Sequence, residues 1–216
     1  MSKQWTEPTA EDVRNACKIF TGDINDPDPA LFELFSKYPR NTDLKHVLLK
    51  VVTLNVLYST MIRVYSKITP TIYDVAHHIV EIGEEIDSGL EAGSPDIVLK
   101  ISKLKKGEKA FYNYSFATKY CSFHRPESYP IYDAHVDEYL RQLRNRDKHA
   151  QGGFRQFKNQ ELWDYPIFRG LVNEFREHYR LQEFTYKQID AFLYLEGGKL
   201  IQQKESAAGH SLSIAD

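Results

Sequence analysis

Apolar residues recur along most of this chain at the spacing that places them on one face of a helix. One such stripe consists of Val13, Ala16, Cys17 and Phe20. Thr9 precedes this stripe and is a good helix N-cap. The same signals predict helices over residues 10–20, 30–38, 42–59, 70–82, 94–104, 133–144, 166–180 and 185–195, with a further helix around Lys119. No alternating apolar and polar segment is long enough to predict a strand, so we expect an all-α fold.

Glycines mark two boundaries in this pattern. The sequence Gln151-Gly152-Gly153 predicts a loop or hinge, and Gly197-Gly198 predicts the end of the last helix. From Lys204 onward the chain is small and polar, which predicts disorder. We therefore expect residues 1–203 to form a single domain and residues 204–216 to form a disordered tail.

Length and composition restrict the class of protein. A chain of 216 residues with 42% hydrophobic and 27% charged residues is ordinary for a soluble globular protein with a substantial core. The N-terminus has no apolar signal region, and no run approaches the roughly 20 apolar residues that span a bilayer. We expect a cytoplasmic protein that does not enter a membrane.

The cysteines and histidines do not predict a metal site. Cys17 and Cys121 fix neither a disulfide framework nor a four-cysteine cluster. His77 and His78 are adjacent, so their side chains point to different sides of a helix and do not form the i, i+4 pair that a metal prefers. We expect no metal and no dissociable cofactor.

The basic residues are clustered, although the formal net charge is −2. The first cluster consists of Lys100, Lys103, Lys105, Lys106, Lys109, Lys119 and Arg125. The second consists of Arg141, Arg144, Arg146, Lys148, Arg155 and Lys158. Such clusters form either a solvated face or a surface that follows phosphates. Their position around Lys119 favours nucleic acid.

Lys119 and Asp133 are the residues that most suggest chemistry. Lys119 lies in a predicted helix, and Asp133 follows the helix breaker Pro130 and opens the next helical run. The two side chains can therefore meet across a short loop. An amine can attack a sugar carbon while a carboxylate stabilises the positive charge that develops on the sugar. Taken one at a time, a solvated lysine and an N-capping aspartate are the commoner interpretations.

The stretch around these two residues resembles the active-site segment of the helix-hairpin-helix DNA glycosylases, most nearly the 8-oxoguanine DNA glycosylase-like branch. Lys119 matches the lysine of that family and Asp133 its aspartate, within the sequence Ile131-Tyr132-Asp133-Ala134-His135-Val136. The resemblance is strongest over residues 110–140, and from 45 to 197 it concerns the order of elements alone. It implies two helical lobes with the active site in the cleft between them.

The resemblance also implies an activity. An enzyme of this kind flips a damaged or modified base out of double-stranded DNA and excises it. Lys119 would attack C1′ and Asp133 would stabilise the sugar cation, with an associated abasic-site lyase step. The implied base is an 8-oxoguanine-like purine or a bulky modified base, such as a modified cytosine in phage DNA. The role would be DNA repair or antiviral defence, carried out by a monomer.

Further site residues follow from the same resemblance. The base pocket would be formed by a residue near 188–192 together with Tyr120, Cys121 and His124. The residues implied to contact DNA are Asn55, Tyr58, Lys103, Lys105, Lys106, Lys109, Ser115 and Ala117. Ser115 and Ala117 occupy positions where the family hairpin commonly has glycines whose backbone amides approach a phosphate.

Two alternatives remain open at this point. One is a non-catalytic DNA-binding module on the same fold. The other is a ribonuclease of the HEPN type, because Arg144-Asn145-Arg146-Asp147-Lys148-His149 matches an arginine, asparagine, histidine pattern of those all-α enzymes. The more common interpretation of this second segment is a helix C-terminus whose dipole favours basic side chains.

Overall fold

The computed structural model describes residues 7–21 and 26–212, and this part of the chain is mostly helical. In it the α-helices are α1 (Ala10–Thr21), α2 (Asp28–Lys37), α3 (Leu44–Leu57), α4 (Ile72–Glu81), α5 (Gly83–Glu91), α6 (Asp96–Ser102), α7 (Tyr114–His124), α8 (Ala134–Arg146), α9 (Tyr165–His178) and α10 (Tyr186–Leu212). Short 3-10 helices cover Asp147–His149 and Asn159–Trp163. The coarse prediction of a helical protein is confirmed, and α5 is a helix that the sequence pattern did not predict.

Polar side chains fix where several helices begin. Asp43 accepts hydrogen bonds from the backbone N–H groups of Lys45 and His46 at the start of α3. Thr71 and Asp74 form a reciprocal capping box at the start of α4. These local bonds satisfy backbone donors that have no partner within the helix. The helix starts can therefore be predicted from the sequence.

A two-stranded β-hairpin separates α6 from α7 and corrects the expectation that the chain contains no strand. Strands β1 (Lys103–Lys106) and β2 (Lys109–Tyr112) pair antiparallel, with Gly107 at positive φ in the turn. Within β1, Leu104 is buried and its two neighbours are exposed. Four residues give too short an alternation to be recognised in the sequence, and the predicted helix over 94–104 therefore ends early.

The last helix corrects two further expectations. Gly197 and Gly198 do not end α10, which continues to Leu212. A Cβ atom at Gly197 would lie 2.0 Å from the carbonyl oxygen of His135, so this glycine lets α10 pack directly on the start of α8. The ion pair between Lys204 and Glu138, at 2.6 Å, holds the following turns of α10 against α8. Residues 204–212 are thus helical, and 213–216 lie outside the described residues.

Buried apolar side chains connect these elements into one core. Helix α10 packs mainly against α8 and α1, and α6 packs against α7. The predicted loop at Gln151-Gly152-Gly153 is confirmed as a turn, with Gly152 at positive φ. In residues 7–21 and 26–212, we find no helix that is both long and apolar enough to cross a membrane.

Candidate active site

A pocket of about 720 Å³ lies where six helices meet. Its walls are formed by α1, the start of α2, the end of α3, α7, the start of α8 and α10. This volume falls in the range of about 300–1,000 Å³ that is typical of small-ligand sites. Lys119 and Asp133 both line the pocket, so the structure brings together the two residues that the sequence singled out.

Lys119 lies on α7 and is 3% exposed. Its Nζ donates a hydrogen bond of 2.8 Å to Oγ of Ser115, one helical turn earlier. The ring of Tyr58 lies beside the amine, with 5.9 Å between Nζ and the ring centroid. A buried lysine of this kind is rare, and it faces a pocket instead of solvent.

Asp133 is the N-cap of α8, as the sequence predicted. Its Oδ1 accepts hydrogen bonds of 3.0 Å from the backbone N–H groups of both His135 and Val136. The other oxygen, Oδ2, lies 3.7 Å from Nζ of Lys119. Helix capping therefore holds one oxygen and aims the second at the amine. Capping and catalysis were competing interpretations of Asp133 in the sequence, and the geometry is compatible with both.

Burial changes the protonation of the lysine. Desolvation lowers the pKa of Lys119, and the nearby carboxylates of Asp133 and Asp190 oppose this effect. The charge of Lys187 adds to the lowering. A lysine with a lowered pKa releases its proton more easily, and the neutral amine is the nucleophilic form.

A second set of charged side chains, Asp28 and Lys187, also lines the pocket. Asp28 accepts a hydrogen bond from the hydroxyl of Tyr58 and forms an ion pair of 2.9 Å with Lys187. Nζ of Lys187 also lies 5.0 Å from the ring centroid of Phe123. This arrangement fixes Tyr58 in the pocket wall. Neither Asp28 nor Lys187 is marked by any motif in the sequence.

Two polar atoms in the pocket wall are buried without a partner in the described part of the chain. They are Oδ1 of Asp190 on α10 and Nδ1 of His135 on α8. Burial raises the pKa of Asp190 to about 7, since desolvation outweighs the opposing effect of Lys187. Gln188, Asp190 and Ala191, from the stretch expected to contribute to the base pocket, line this pocket.

The three residues expected to form the base pocket from α7 lie elsewhere. Tyr120 and Cys121 are fully buried, and Tyr120 donates a hydrogen bond of 2.6 Å to Oδ1 of Asn41. His124 approaches Nζ of Lys50 at 3.2 Å and lines a different pocket. Successive helix residues are turned by about 100°, so side chains one, two and five positions after Lys119 leave its face. The assignment of Tyr120, Cys121 and His124 to this pocket is therefore wrong.

Asn55 also has a different place from the expected one. Its side chain donates to the carbonyl oxygen of Ile62 and accepts from the N–H of Ile62, both at 2.9 Å, and from the hydroxyl of Thr60 at 2.8 Å. Asn55 thus fastens the loop that follows α3 and has its hydrogen-bonding groups occupied. Tyr58 lines the pocket but is held by Asp28, so it is part of the wall.

The expected contacts of the hairpin divide into two groups. Lys103, Lys105 and Lys109 are exposed on the hairpin, where they are available to a phosphate backbone. Lys106 instead donates hydrogen bonds to Oδ2 of Asp74 at 2.8 Å and to the carbonyl oxygen of Ser66 at 3.1 Å. It ties the hairpin to the loop between α3 and α4 and to the first turn of α4.

Ser115 and Ala117 lie within α7 and not in a hairpin between two helices. Ala117 is fully buried, and its N–H donates to the carbonyl oxygen of Asn113 at 3.0 Å. It is therefore not placed for a phosphate contact, and that prediction is wrong. Ser115 serves the pocket by accepting the hydrogen bond of Lys119.

Arg144 and His149 are the pair that the ribonuclease alternative requires. Arg144 donates hydrogen bonds to the carbonyl oxygen of Phe157 at 3.0 Å and to Oδ1 of Asn159 at 2.7 Å. These bonds fasten the segment that follows α8. His149 is exposed at the end of a 3-10 helix. Neither residue lines the pocket of Lys119.

The residues described hold no group of three or more His, Cys, Asp or Glu side chains arranged to hold a metal ion. The side chains that line the pocket include two amines, four carboxylates, one imidazole and two phenols.

The fold and the pocket define a mostly helical protein with a buried lysine facing a capping aspartate. The chain belongs to the family HI_0787_N, described as an N-terminal domain, which matches residues 9–128. It is also similar to an uncharacterized protein of Haemophilus influenzae, 34% identical over 143 residues, which are 66% of this chain and 65% of that protein. The match thus spans slightly less than two thirds of the relative's length. No solved structure gives a significant match.

The family match divides the site. Lys119 lies inside the matched segment 9–128, whereas Asp133, His135 and Asp190 follow it. The N-terminal segment therefore supplies the amine, and the remaining part of the chain supplies the carboxylate that faces it.

Proposed function

We propose that this protein is a DNA glycosylase that excises a modified base with Lys119 as the nucleophile. The observation that carries the proposal is the buried amine of Lys119, 3.7 Å from Oδ2 of Asp133, in a pocket of about 720 Å³. An amine with a lowered pKa and an oriented carboxylate, side by side in a pocket, are what attack at a sugar carbon requires.

The proposed chemistry begins with the neutral amine. Its lone pair forms a bond to C1′ while the glycosidic bond breaks, and the electron pair of that bond leaves with the base, which takes up a proton. The positive charge that develops on the sugar is stabilised by Asp133. The attached amine then loses a proton, its lone pair expels O4′, which takes up a proton, and a Schiff base forms between C1′ and Lys119. Loss of a proton from C2′ of this intermediate expels the 3′ phosphate and nicks the strand.

The substrate has to enter the pocket from a flipped-out position. A base inside the duplex does not expose its glycosidic bond, and its extrusion costs a few kcal/mol. The pocket is large enough for a nucleotide, and its wall carries the rings of Tyr58 and Tyr194 for stacking. The resemblance to the 8-oxoguanine DNA glycosylases favours an oxidised purine, with a modified cytosine of phage DNA as the second candidate.

The path of the DNA backbone follows from the positions of the exposed cations. Lys103, Lys105 and Lys109 lie on a β-hairpin directly before α7, where the resembling enzymes have their helical hairpin. The exposed lysines would therefore replace backbone amides as the phosphate contact.

The test is trapping of the covalent intermediate. Borohydride added during reaction with duplexes that carry 8-oxoguanine, an abasic site or 5-hydroxymethylcytosine should give a stable protein–DNA adduct. Lys119→Gln should lower its yield by at least about 1,000-fold, because a neutral amide is not a nucleophile. Lys37→Gln, on the exposed surface of α2, is the control and should form the adduct normally.

Two results would contradict this mechanism. Base release by Lys119→Gln at near the wild-type rate would assign the attack to a water directed by Asp133. Duplex binding by the wild type without release or trapping on any of these DNAs would support a non-catalytic DNA-binding module.

A further inference from the structure

The β-hairpin has one face that packs on the protein and one that meets solvent. Leu104 on β1 is buried, whereas Lys103 and Lys105 on either side of it are exposed. Lys103 pairs with Tyr112 in the strand register, so these two side chains lie on the same face of the hairpin. The solvent face therefore carries two cations and an aromatic ring, and none of these residues lines the pocket of Lys119.

Trp163 lies next to Tyr112 and enlarges this aromatic surface. It ends the 3-10 helix before α9, and its ring centroid lies 6.2 Å from that of Tyr112. The hydroxyl of Tyr112 donates a hydrogen bond of 3.0 Å to the carbonyl oxygen of Trp163, which ties the hairpin to this segment. Trp163 is 50% exposed and Tyr112 is 37% exposed, so large parts of both rings are available to a ligand. We call Tyr112 and Trp163 the aromatic shelf.

Buried tyrosines pack against the aromatic shelf. The ring of Tyr114, which is 2% exposed, stacks on Tyr112 at 5.4 Å and on Trp163 at 5.8 Å, with 7° and 23° between the ring planes. Tyr132 contacts Trp163 at a centroid distance of 5.6 Å. The two exposed rings are therefore held in place before a ligand binds. Binding then costs little side-chain entropy.

The charge of the hairpin restricts the ligand further. Its three exposed lysines, Lys103, Lys105 and Lys109, outnumber its one acidic residue, Glu108. The carboxylate next to Trp163, that of Asp164, is engaged as the N-cap of α9. The exposed cations favour a ligand that carries several anionic groups.

An aromatic surface bordered by cations fits one kind of polyanion. Stacking on tryptophan and tyrosine requires a flat ring with an exposed face. Duplex DNA offers phosphates but keeps the faces of its bases inside the stack. Single-stranded nucleic acid offers both, because its phosphates are accessible and every unstacked base presents a π-face.

We propose that the aromatic shelf binds single-stranded nucleic acid, with a base stacked on Trp163 and Tyr112 and the adjoining phosphates on Lys103 and Lys105. The shelf is separate from the pocket of Lys119, and the inference does not need the proposed function. If the protein is a glycosylase, the strand on the shelf is an unpaired segment next to the duplex, as at a gap or an overhang.

The fluorescence of Trp163 tests the stacking directly. The chain has two tryptophans, and Trp5→Phe leaves Trp163 as the reporter. Oligothymidylate of about ten nucleotides, within the usual site size, should bind and quench this fluorescence. An oligomer of the same length made of tetrahydrofuran abasic sites has the same phosphates without bases. It should bind at least about tenfold more weakly and leave the fluorescence unchanged.

Variants of the shelf separate the ring from the charges. Trp163→Leu should weaken binding of labelled oligothymidylate by about 5- to 100-fold, measured by fluorescence anisotropy, whereas Trp163→Phe keeps a ring and should stay within about threefold. Neither variant should change binding of a blunt duplex. Lys103→Gln should flatten the salt dependence for oligothymidylate by about 0.7 unit, with Lys106→Gln, held by Asp74, as the matched control.

Thermal melting of each variant checks that it is folded. The quenching experiment leaves the shelf intact, so it decides the question even if Trp163→Leu is unstable. Neither single-stranded probe contains a modified base, so binding requires no excision. Binding and quenching by oligothymidylate in a protein that traps no DNA on Lys119 would contradict the proposed function and support the shelf.

Three results would overturn the proposal. Equal binding of oligothymidylate and the abasic oligomer, without quenching, would show that the cations alone bind a polyanion. Competition by polyglutamate as strong as that by unlabelled oligothymidylate would assign the surface to an acidic protein. A loss of blunt-duplex binding in Trp163→Leu as large as the loss for oligothymidylate would show that Trp163 does not select an unpaired strand.

Discussion

Two buried lysines, Lys50 on α3 and Lys119 on α7, differ in what surrounds the amine. Nζ of Lys50 donates to the carbonyl oxygens of Tyr38 and Arg40 at 3.0 and 3.1 Å and to Oδ1 of Asn41 at 2.8 Å. Nζ of Lys119 has a hydroxyl at 2.8 Å and a carboxylate at 3.7 Å, and it faces a pocket. Burial lowers the pKa of both, that of Lys50 to about 7.

Under the proposed function, Lys50 is a structural lysine and Lys119 is the reactive one. Three oxygens around Lys50 match the three donors of an ammonium group, so its hydrogen bonds hold the segment after α2 against α3. The same network includes Asn41, whose Oδ1 also accepts from Tyr120. Lys119 has fewer partners and an open space beside it. Burial alone therefore does not distinguish the two lysines, whereas the number of partners around each amine does.

The largest expected effect is a contrast in stability between the two lysines. Lys50→Met leaves three buried oxygens without donors and should lower the free energy of unfolding by about 3–5 kcal/mol. Lys119→Met should change it by less than about 1 kcal/mol, because Ser115 and Asp133 keep other partners or some exposure. Urea denaturation measures both, with Lys37→Met as the exposed control. Equal losses of unfolding free energy in Lys50→Met and Lys119→Met would contradict the difference between the two lysines.

The next effect concerns Asp133, the carboxylate that faces Lys119 and not Lys50. Asp133→Asn keeps an oxygen for capping α8 but loses the charge, so excision should fall by about 100-fold or more at nearly unchanged stability. Asp43 is the matched control, because it caps α3 in the same way. Asp43→Asn should leave excision unchanged, and alanine at either position should cost about 1 kcal/mol of stability.

One result of this comparison would contradict a catalytic role for Asp133. Full excision activity in Asp133→Asn, with a loss only in Asp133→Ala, would reduce Asp133 to a helix cap. The chemistry would then belong to another carboxylate of the pocket.

The smallest effect involves a third class of lysine, exposed on the hairpin. Replacement of Lys103, Lys105 or Lys109 by Gln should weaken binding to any duplex by about 1 kcal/mol or less and flatten the salt dependence by about one unit per contact removed. Lys106→Gln is the matched control, since Lys106 is held by Asp74. Filter binding at several salt concentrations gives the slopes. The same flattening for Lys106→Gln would mean that the hairpin as a whole, and not its exposed charges, sets the affinity.

The sequence by itself determined the features that depend on neighbours along the chain. Helical periodicity and capping residues such as Thr9, Asp43 and Asp133 act within a few residues, so most helix starts were predictable. The pairing of Lys119 with Asp133 belongs to the same class, because a short loop joins their helices. The hairpin was missed because its strands have four residues each.

Only the tertiary structure decided which side chains share a space. Asp190 and His135 face one pocket because Gly197 lets α10 lie against the start of α8, and no local pattern encodes that contact. Tyr120 and His124 are neighbours of Lys119 in sequence, yet the turn of the helix sends them towards Lys50. Whether a buried amine is saturated with partners or left open to a ligand depends on contacts between distant segments. Those contacts arise from packing, and packing is not visible in the order of residues.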